Sequence, residues 1–474
     1  MNKIRKTKIV CTLGPSSESP EMIQKLAEAG MNVVRLNFSH GNHEEQGARM
    51  DTVRQVSEVS GYNLAILLDT KGPEIRCGVM ENGGVEFAKG DIVKVVSKDV
   101  EGNKERFQVI VPELFEDVQV NDYLLIDDGK MRLTIIETKK GELTCRIENP
   151  GWIKSRKGVN VPNVKLSMPF VSEKDENDIR FGCQKDVDYI AASFVRRAKD
   201  VLDIRKILVS EGKSKIQIIA KIENQEGYDN LDAILEVADG VMVARGDLGV
   251  EVSTALVPIY QKSIIKRANE LGKPVITATH MLESMMGNPR PTRAEANDVA
   301  NAVLDGSDAI MLSGETAAGL YPIEAVQTMN TIALTMEDII PYRDRLGMSI
   351  KTSRHTIQDA IGISVADTAL QLEKVKAIVA FTQGGATARR ISKFRPSVPI
   401  FAVTFTKSVQ RKLETYWGVI PILSDVKNEM TNDDELASII ARDRGLVTGD
   451  YVIITAGYPT GEGTANMMKI VEIK

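Results

Sequence analysis

Short apolar runs rich in β-branched residues recur along the chain, each followed by a stretch in which apolar positions return every three or four residues. The runs occupy residues 8–11, 33–36, 65–68, 189–192, 217–220, 240–244, 275–277 and 309–312. Continuous apolar runs of this length suit strands covered on both faces, and their alternation with helices predicts a TIM (β/α)8 barrel. Helix signals support it: a capping Ser19 and Pro20 open a periodic stretch that Gly30 closes.

Between the third and fourth runs, alternating apolar segments at 91–96, 107–111, 123–126 and 133–136 sit among Gly and Asp punctuation. They predict an inserted all-β domain, a β-barrel lid over 71–168, hanging at the catalytic mouth. Beyond 341 a helical pattern at 356–372 and runs at 377–381, 400–404, 419–423 and 451–455 predict a C-terminal open α/β domain with a mostly parallel sheet. The expected organisation is a catalytic barrel over 1–70 and 169–341, the lid, and a regulatory domain over 342–474.

With 474 residues the chain exceeds what one core organises. Its 60 basic against 65 acidic side chains leave a net charge of −5, which argues against nucleic acid or an anionic membrane as partner. Four scattered cysteines form no CxxC pair, no window is long and apolar enough for a bilayer, and the basic start at 1–10 is too short for a signal core. A cytoplasmic protein with reduced thiols is expected.

Barrels of this type place chemistry at the carboxyl ends of their strands. The fifth run continues into Lys221 and Glu223, which share a face. An ammonium beside a carboxylate suits phosphoryl transfer, one neutralising the migrating group and the other holding a metal; a barrel-end salt bridge is the plainer reading. After the sixth run, Gly246 permits close backbone approach, nearby amides suit an anion, and Asp247 could join Glu223 around Mg2+; the alternative is a capped turn. Arg35 after the second run offers a guanidinium to an anion. Asn37, Ser39, Asp69 and the Thr70 carbonyl form an oxygen set better matched to a monovalent ion than to a second Mg2+, with strand-end capping as the alternative. Thr279, after the seventh run, offers a hydroxyl through which a proton could pass by way of water, or a helix cap. His43 and His355 have no evident partners and read as surface or packing residues.

In the third domain, Thr382, Gly384, Gly385 and Thr387 follow a strand and open a helix, a phosphate cradle or a plain turn. A second glycine-rich segment at 457–464 would reach the same sheet edge. Gly212-Lys213-Ser214 ends like a Walker A motif, but Ile207 stands where its first glycine belongs, so it reads as a turn.

The segments RLNFSHG (35–41), LLDTKGPEIR (67–76), KIENQEG (221–227), VARGDLGVE (243–251), ATHMLESM (278–285) and PRPTRAEANDVANAVLDGSDAIMLSGETAAG (289–319) resemble those of the pyruvate kinases, in the same order and almost end to end. The resemblance implies transfer of the phosphoryl group of phosphoenolpyruvate to ADP, the last step of glycolysis. It implies that Lys221 stabilises the moving group, that Glu223 and Asp247 bind Mg2+ or Mn2+, and that Arg35, Gly246, Asp247 and Thr279 hold phosphoenolpyruvate. By the same resemblance, its carboxylate lies on the amides near Gly246, and Thr279 supports protonation of the enolpyruvate. Asn37, Ser39, Asp69 and Thr70 match the K+ site, Glu74 accompanies K+ dependence, and His40, Arg76 and Lys157 match nucleotide contacts. A phosphorylated allosteric effector and a homotetramer are implied as well. Two departures stand out: His280 replaces Gln or Lys, and Gly384-Gly385 replaces the Ser-Gly of fructose-bisphosphate-responsive relatives. The residues alone also admit a metal-dependent barrel lyase or aldolase on a 2-oxo acid, or a catalytically silent sugar-phosphate-binding paralogue.

Overall fold

A computed structural model describes residues 3–424, 433–457 and 465–474. Eight parallel strands close into a barrel: β1 Lys8–Thr12, β2 Val33–Asn37, β3 Ala65–Asp69, β4 Tyr189–Ala192, β5 Gln217–Ile222, β6 Gly240–Ala244, β7 Val275–Ala278 and β8 Ala309–Leu312. Each pairs with its sequence neighbours, and β8 pairs with β1 through Lys8↔Ala309 and Ile9↔Ile310. Alternating residues split between two cores, as the twofold period of a strand requires. Val10, Val33, Leu67, Tyr189, Ile219, Met242, Ile276 and Met311 fill the barrel, while Ile9, Val34, Leu68, Ile190 and Ile218 pack outward. All eight strands fall where the apolar runs predict, and five of them extend one or two residues further, four of these through the polar residues Thr12, Asn37, Asp69 and Lys221.

Helix α1, Pro20–Ala29, begins with the Ser19 side chain accepting from the Met22 amide and ends at Gly30 with φ +125°. Short α2, Arg245–Glu251, follows β6, and α3, Arg293–Asp305, carries a capping box between Thr292 and Glu295. Gly212 lies at φ +69° just past the helix Ala198–Ser210, and Lys213 pairs with Asp186, so the Walker-like triplet is a turn.

The insertion after β3 has its own core around Phe87, Phe107, Leu124, Leu133 and Ile147. The sequence pattern suggests one β-barrel; its strands form a seven-stranded sheet whose edge strands, Ile75–Arg76 and Arg106–Gln108, meet where the Gly78 amide donates to the Gln108 carbonyl and the Ile110 amide to the Arg76 carbonyl, with a separate ribbon of Gly84–Phe87 against Gly151–Lys154. The run at 107–111 shrinks to Arg106–Gln108, after which Val109 bridges Cys77 alone.

The third domain is a five-stranded sheet in the order β11-β10-β9-β12-β13, where β9 is Val375–Phe381, β10 Ile400–Thr404, β11 Val419–Leu423, β12 Tyr451–Ala456 and β13 Met467–Glu472. Helix α4, Ala386–Lys393, follows β9. β13 is antiparallel, and its half-exposed MMKIVE lacks the apolar run that marks the other four.

This domain docks under the amino ends of the barrel strands. Arg395 donates to the Asn269 side chain, the Gly306 carbonyl and Asp308, whose carboxylate also accepts the Val275 and Trp417 amides. Arg411 pairs with Asp186 and Asp188, and the Tyr189 hydroxyl donates to the Lys412 carbonyl. The four cysteines are free and buried, and among the described residues no helix is long and apolar enough to cross a membrane.

Candidate active site

The carboxyl end of β5 delivers Lys221 into the closed end of the mouth. Its ammonium lies 3.0 Å from Asp69 Oδ1 and 3.0 Å from Glu223 Oε1, and donates to Ser193 Oγ at 2.7 Å. Burial alone would favour the neutral amine, but Asp69 and Glu223 outweigh it and hold the proton more tightly than on a free lysine. Lys221 is therefore a fixed positive charge and not a base.

Asp69, at the end of β3, is buried and satisfied on both oxygens. Oδ1 accepts from Lys221 and from Ser193 Oγ, and Oδ2 accepts Arg35 Nε at 2.6 Å. Burial would raise its carboxyl; Arg35 and Lys221 keep it below the usual range. Arg35 also donates to Thr12 Oγ1 at 3.0 Å, so the guanidinium is aimed across the mouth by two strands.

Glu223 is the opposite case. It is wholly buried, one oxygen accepts the Phe194 amide, and Oε1 has no hydrogen-bond donor, the Lys221 contact being out of line for one. Burial pushes its carboxyl up to about 8, with Lys221 countering and the charge of Asp247 adding to the rise. An acidic site with a bare buried oxygen fits a cation.

Asn37 stands opposite Asp69 in the β2–β3 register, and its side-chain oxygen accepts the Ser39 amide at 3.1 Å. The Thr70 carbonyl accepts Ser193 Oγ at 2.7 Å. One charged and several neutral oxygens thus gather at the ends of β2 and β3, with Ser193 tying Asp69 and Thr70 to Lys221.

Thr279, just past β7, adopts φ +68°, and His280 follows at φ +54°. In this left-handed turn Thr279 Oγ1 accepts the Gly246 amide at 2.8 Å and donates to the Ala278 carbonyl at 2.7 Å. The sequence leaves the amides near Gly246 open for an anion; here the Gly246 amide is occupied, because the turn folds the hydroxyl over the start of α2.

Between lid and barrel runs a cleft of about 540 Å³ lined by His40, Arg76, Lys157, Asn224, Asp247 and Glu251 among others. Arg76 pairs with Glu74 at 2.7 Å and Lys157 with Asp127 at 2.7 Å, so both cations face the cleft with carboxylates in attendance. Asn160 of the lid donates to Glu251 of α2 at 2.7 Å.

His43, read from sequence as having no partner, has two. Its Nε2 is 2.7 Å from Asp178 Oδ1 and its ring stacks on Phe181 at 4.3 Å, a pairing across more than a hundred residues that no local pattern reveals. His355 is exposed. Sequence reasoning also passed over Ser193 and Thr12. Each is the polar residue that ends its strand run, the same signal that singles out residues on the other strands.

In the third domain Thr382 and Thr387 are buried at either end of the β9–α4 loop, Gly385 takes φ +85°, and a side chain at Gly384 would meet nothing. The hydroxyls of Thr404 and Thr455, at the ends of β10 and β12 flanking β9, are buried without partners among the described residues. Of the second glycine-rich segment, residues 458–464 lie outside the described residues.

Two family models match the chain: "Pyruvate kinase, barrel domain" over residues 4–326 and "Pyruvate kinase, alpha/beta domain" over 359–471. A pyruvate kinase of Staphylococcus haemolyticus is 56% identical over 473 residues, spanning 98% of this chain and 80% of the relative. One from Staphylococcus aureus (strain MRSA252) is 55% identical with the same coverage. The crystal structure of a pyruvate kinase from Cryptosporidium parvum superposes with a TM-score of 0.94 at 38% identity, covering 99% of this chain and 96% of that one.

Proposed function

The chain belongs to the pyruvate kinase family, phosphotransferases that carry the phosphoryl group of phosphoenolpyruvate to ADP, and we propose that Lys221, Arg35, Gly246, Asp247 and Thr279 run that transfer at its barrel mouth. The observation that carries this reading is the buried Lys221 ammonium, held charged by Asp69 and Glu223 where the strands open. A transferring phosphoryl group spreads charge over three equatorial oxygens, and a preset cation in a site shielded from water stabilises that charge more than water would.

Arg35 binds the phosphate of phosphoenolpyruvate by giving up Asp69, its ligand-free partner. Glu223 and Asp247 would hold Mg2+ or Mn2+; the bare Glu223 Oε1 and a carboxyl driven towards protonation by burial fit a site built for a divalent ion. An ion held there would supply positive charge to phosphate oxygens during transfer. Asn37, Ser39, Asp69 and Thr70 would hold K+, for which one carboxylate among neutral oxygens is a fitting set. Once the phosphoryl group has left, Thr279 assists delivery of a proton from water to C3 of the enolpyruvate. His40, Arg76 and Lys157 receive the nucleotide in the cleft under the lid, where Arg76 and Lys157 exchange Glu74 and Asp127 for phosphates.

We further infer a phosphorylated effector at Thr382, Gly384, Gly385 and Thr387, to which the unpartnered Thr404 and Thr455 hydroxyls add donors, and a homotetrameric assembly. Pyruvate formation from phosphoenolpyruvate and ADP, measured with and without Mg2+ and K+, tests the catalytic reading. Turnover that needs both ions is expected, and no pyruvate under any combination would overturn it.

A further inference from the structure

The left-handed turn at Thr279 needs an explanation. A β-branched residue at φ +68° is a backbone outlier, and His280 continues in the same region, so this turn persists only because its surroundings impose it. Strand β7 ends at Ala278 and the next described helix-like turn, Glu283–Met286, begins four residues after Thr279, so neither element dictates the conformation. The restraint comes from Arg245.

Arg245 opens α2, directly after Ala244, which pairs with Ala278 in the β6–β7 register, so it lies beside the turn; it is nearly buried. Its Nε donates to the Ala278 carbonyl at 3.2 Å, and its Nη2 donates to the Thr279 carbonyl at 2.7 Å and lies 2.8 Å from Met281 Sδ. Nη1 pairs with Asp298 Oδ1 of α3 at 2.7 Å and reaches Gln261 Oε1 at 3.4 Å. All three nitrogens are thus engaged by protein, with both edges of the planar fork in use. An arginine at the mouth, next to Gly246 and Asp247, looks like an anion ligand; this one has no nitrogen left unengaged for an anion.

We propose that Arg245 is a positioning residue for the known reaction: anchored by Asp298, its guanidinium grips the Ala278 and Thr279 carbonyls and sets the left-handed turn that aims the Thr279 hydroxyl at the mouth. The next residue in the chain completes the clamp, since the Gly246 amide donates to Thr279 Oγ1. The turn is held from one side by its backbone carbonyls and from the other by its hydroxyl, and both holds originate at the first turn of α2. Without Arg245, Thr279 relaxes towards the extended backbone that a β-branched residue prefers, and the hydroxyl leaves its place.

The inference rests on the role assigned above to Thr279, and the experiment separates the two. Protonation of enolpyruvate at C3, run backwards, breaks a methyl C–H bond of pyruvate. The electron pair forms the C2–C3 double bond as the carbonyl oxygen takes on charge, the proton leaves to solvent, and return of a deuteron completes an exchange. Deuterium uptake into the pyruvate methyl group, followed by NMR in D2O with Mg2+, K+ and ATP, reads this step apart from phosphoryl transfer. Thr279→Ala, Arg245→Met, Arg245→Lys, Asp298→Asn and the double variant Thr279→Ala/Arg245→Met would be compared, with cooperative melting as the check on folding. Expected are a loss of exchange of at least about tenfold in both Thr279→Ala and Arg245→Met, with KM for phosphoenolpyruvate shifted to the same extent in the two. The double variant should be little worse than either single one, as for two residues acting through one contact. Arg245→Lys, unable to reach two carbonyls and a carboxylate together, should fall between, and Asp298→Asn should lose least. If Thr279→Ala keeps its exchange, the role of Thr279 fails. If Thr279→Ala loses exchange while Arg245→Met keeps it, or the two losses multiply, the positioning role of Arg245 fails. Should Arg245→Met not fold, Arg245→Lys and Asp298→Asn paired with Thr279→Ala give the same cycle.

Discussion

The Lys221 ammonium lies 3.0 Å from a Glu223 oxygen that accepts no hydrogen bond among the described residues. Lys221 and Arg35 both engage Asp69, so of the two buried carboxylates it is Glu223 that keeps an oxygen for a further cation.

Lys221→Met should remove most of kcat, about 10²-fold or more, while phosphoenolpyruvate still binds, because the ammonium acts chiefly on charge that develops during transfer. The same change leaves the buried Glu223 without its counter-charge and Asp69 with Arg35 alone, and should destabilise the metal-free chain by about 3–5 kcal/mol. Steady-state kinetics with urea unfolding checks both, and a variant that retains most of its turnover contradicts the assigned role.

The Glu223 carboxyl, raised to about 8 by burial, sets a pH dependence for divalent binding. Metal needs the ionised form, so below pH 8 a proton competes and Mn2+ affinity should fall by up to about tenfold per pH unit, levelling above 8. For the metal-free fold the sign is opposite. Between the unfolded value of about 4.3 and about 8, the native state holds a proton that the unfolded chain has lost, so this group's contribution to stability declines as pH rises through that window. Mn2+ titrations from pH 6.5 to 9 check the first, and Glu223→Gln should flatten the pH dependence as it weakens binding.

Much of this molecule was legible from the order of its residues. The barrel strands announce themselves because they are buried on both faces, and their last polar residues announce the chemistry because nothing in a closed barrel core tolerates Lys221 or Glu223 without a reason. What stayed hidden depends on contacts distant in sequence. That Thr279 is left-handed follows from Arg245 and Asp298 on two other elements, and the His43–Asp178 pair forms only when the helix Glu173–Gln184 packs beside RLNFSHG. The antiparallel β13 was missed because an edge strand with half its side chains in solvent carries no apolar run.

Glu74 pairs with Arg76 at 2.7 Å and sits 3.7 Å from Lys71, so its carboxylate serves the lid hinge as well as the monovalent-ion requirement implied for it. Glu74→Lys should make activity less dependent on K+, since a tethered ammonium supplies the ion's charge. It should also raise KM for ADP several-fold, because Arg76 then loses its partner and meets a second cation. Rates in matched K+ and Na+ buffers decide the matter: a variant as K+-dependent as the parent removes Glu74 from the monovalent site.

The third domain touches the amino ends of the barrel strands, opposite the mouth, so within one chain that junction links an effector at Thr382–Thr387 to the chemistry. The junction is ionic and buried: Arg395 lies at φ +49°, with two guanidinium nitrogens lacking partners, and its remaining one bridges Asn269, Gly306 and Asp308. Because Asp308 also takes the amides of Val275 in β7 and Trp417 beside β11, any shift of the third domain is transmitted to the strand that ends just before Thr279. An effector changes affinity only by preferring one of two global states, and couplings of ~1–3 kcal/mol give roughly five- to 150-fold changes. Titrating sugar mono- and bisphosphates and AMP should reveal one that lowers the apparent KM for phosphoenolpyruvate. Thr382→Ala and Thr387→Ala should abolish that shift by weakening effector binding. Arg395→Met should leave effector binding in place, seen by calorimetry, yet uncouple it from KM, and should lower stability by about 3–5 kcal/mol through the unpaired Asp308. A KM shift that survives both threonine substitutions makes the β9–α4 loop a plain turn, and one that survives Arg395→Met routes the coupling elsewhere.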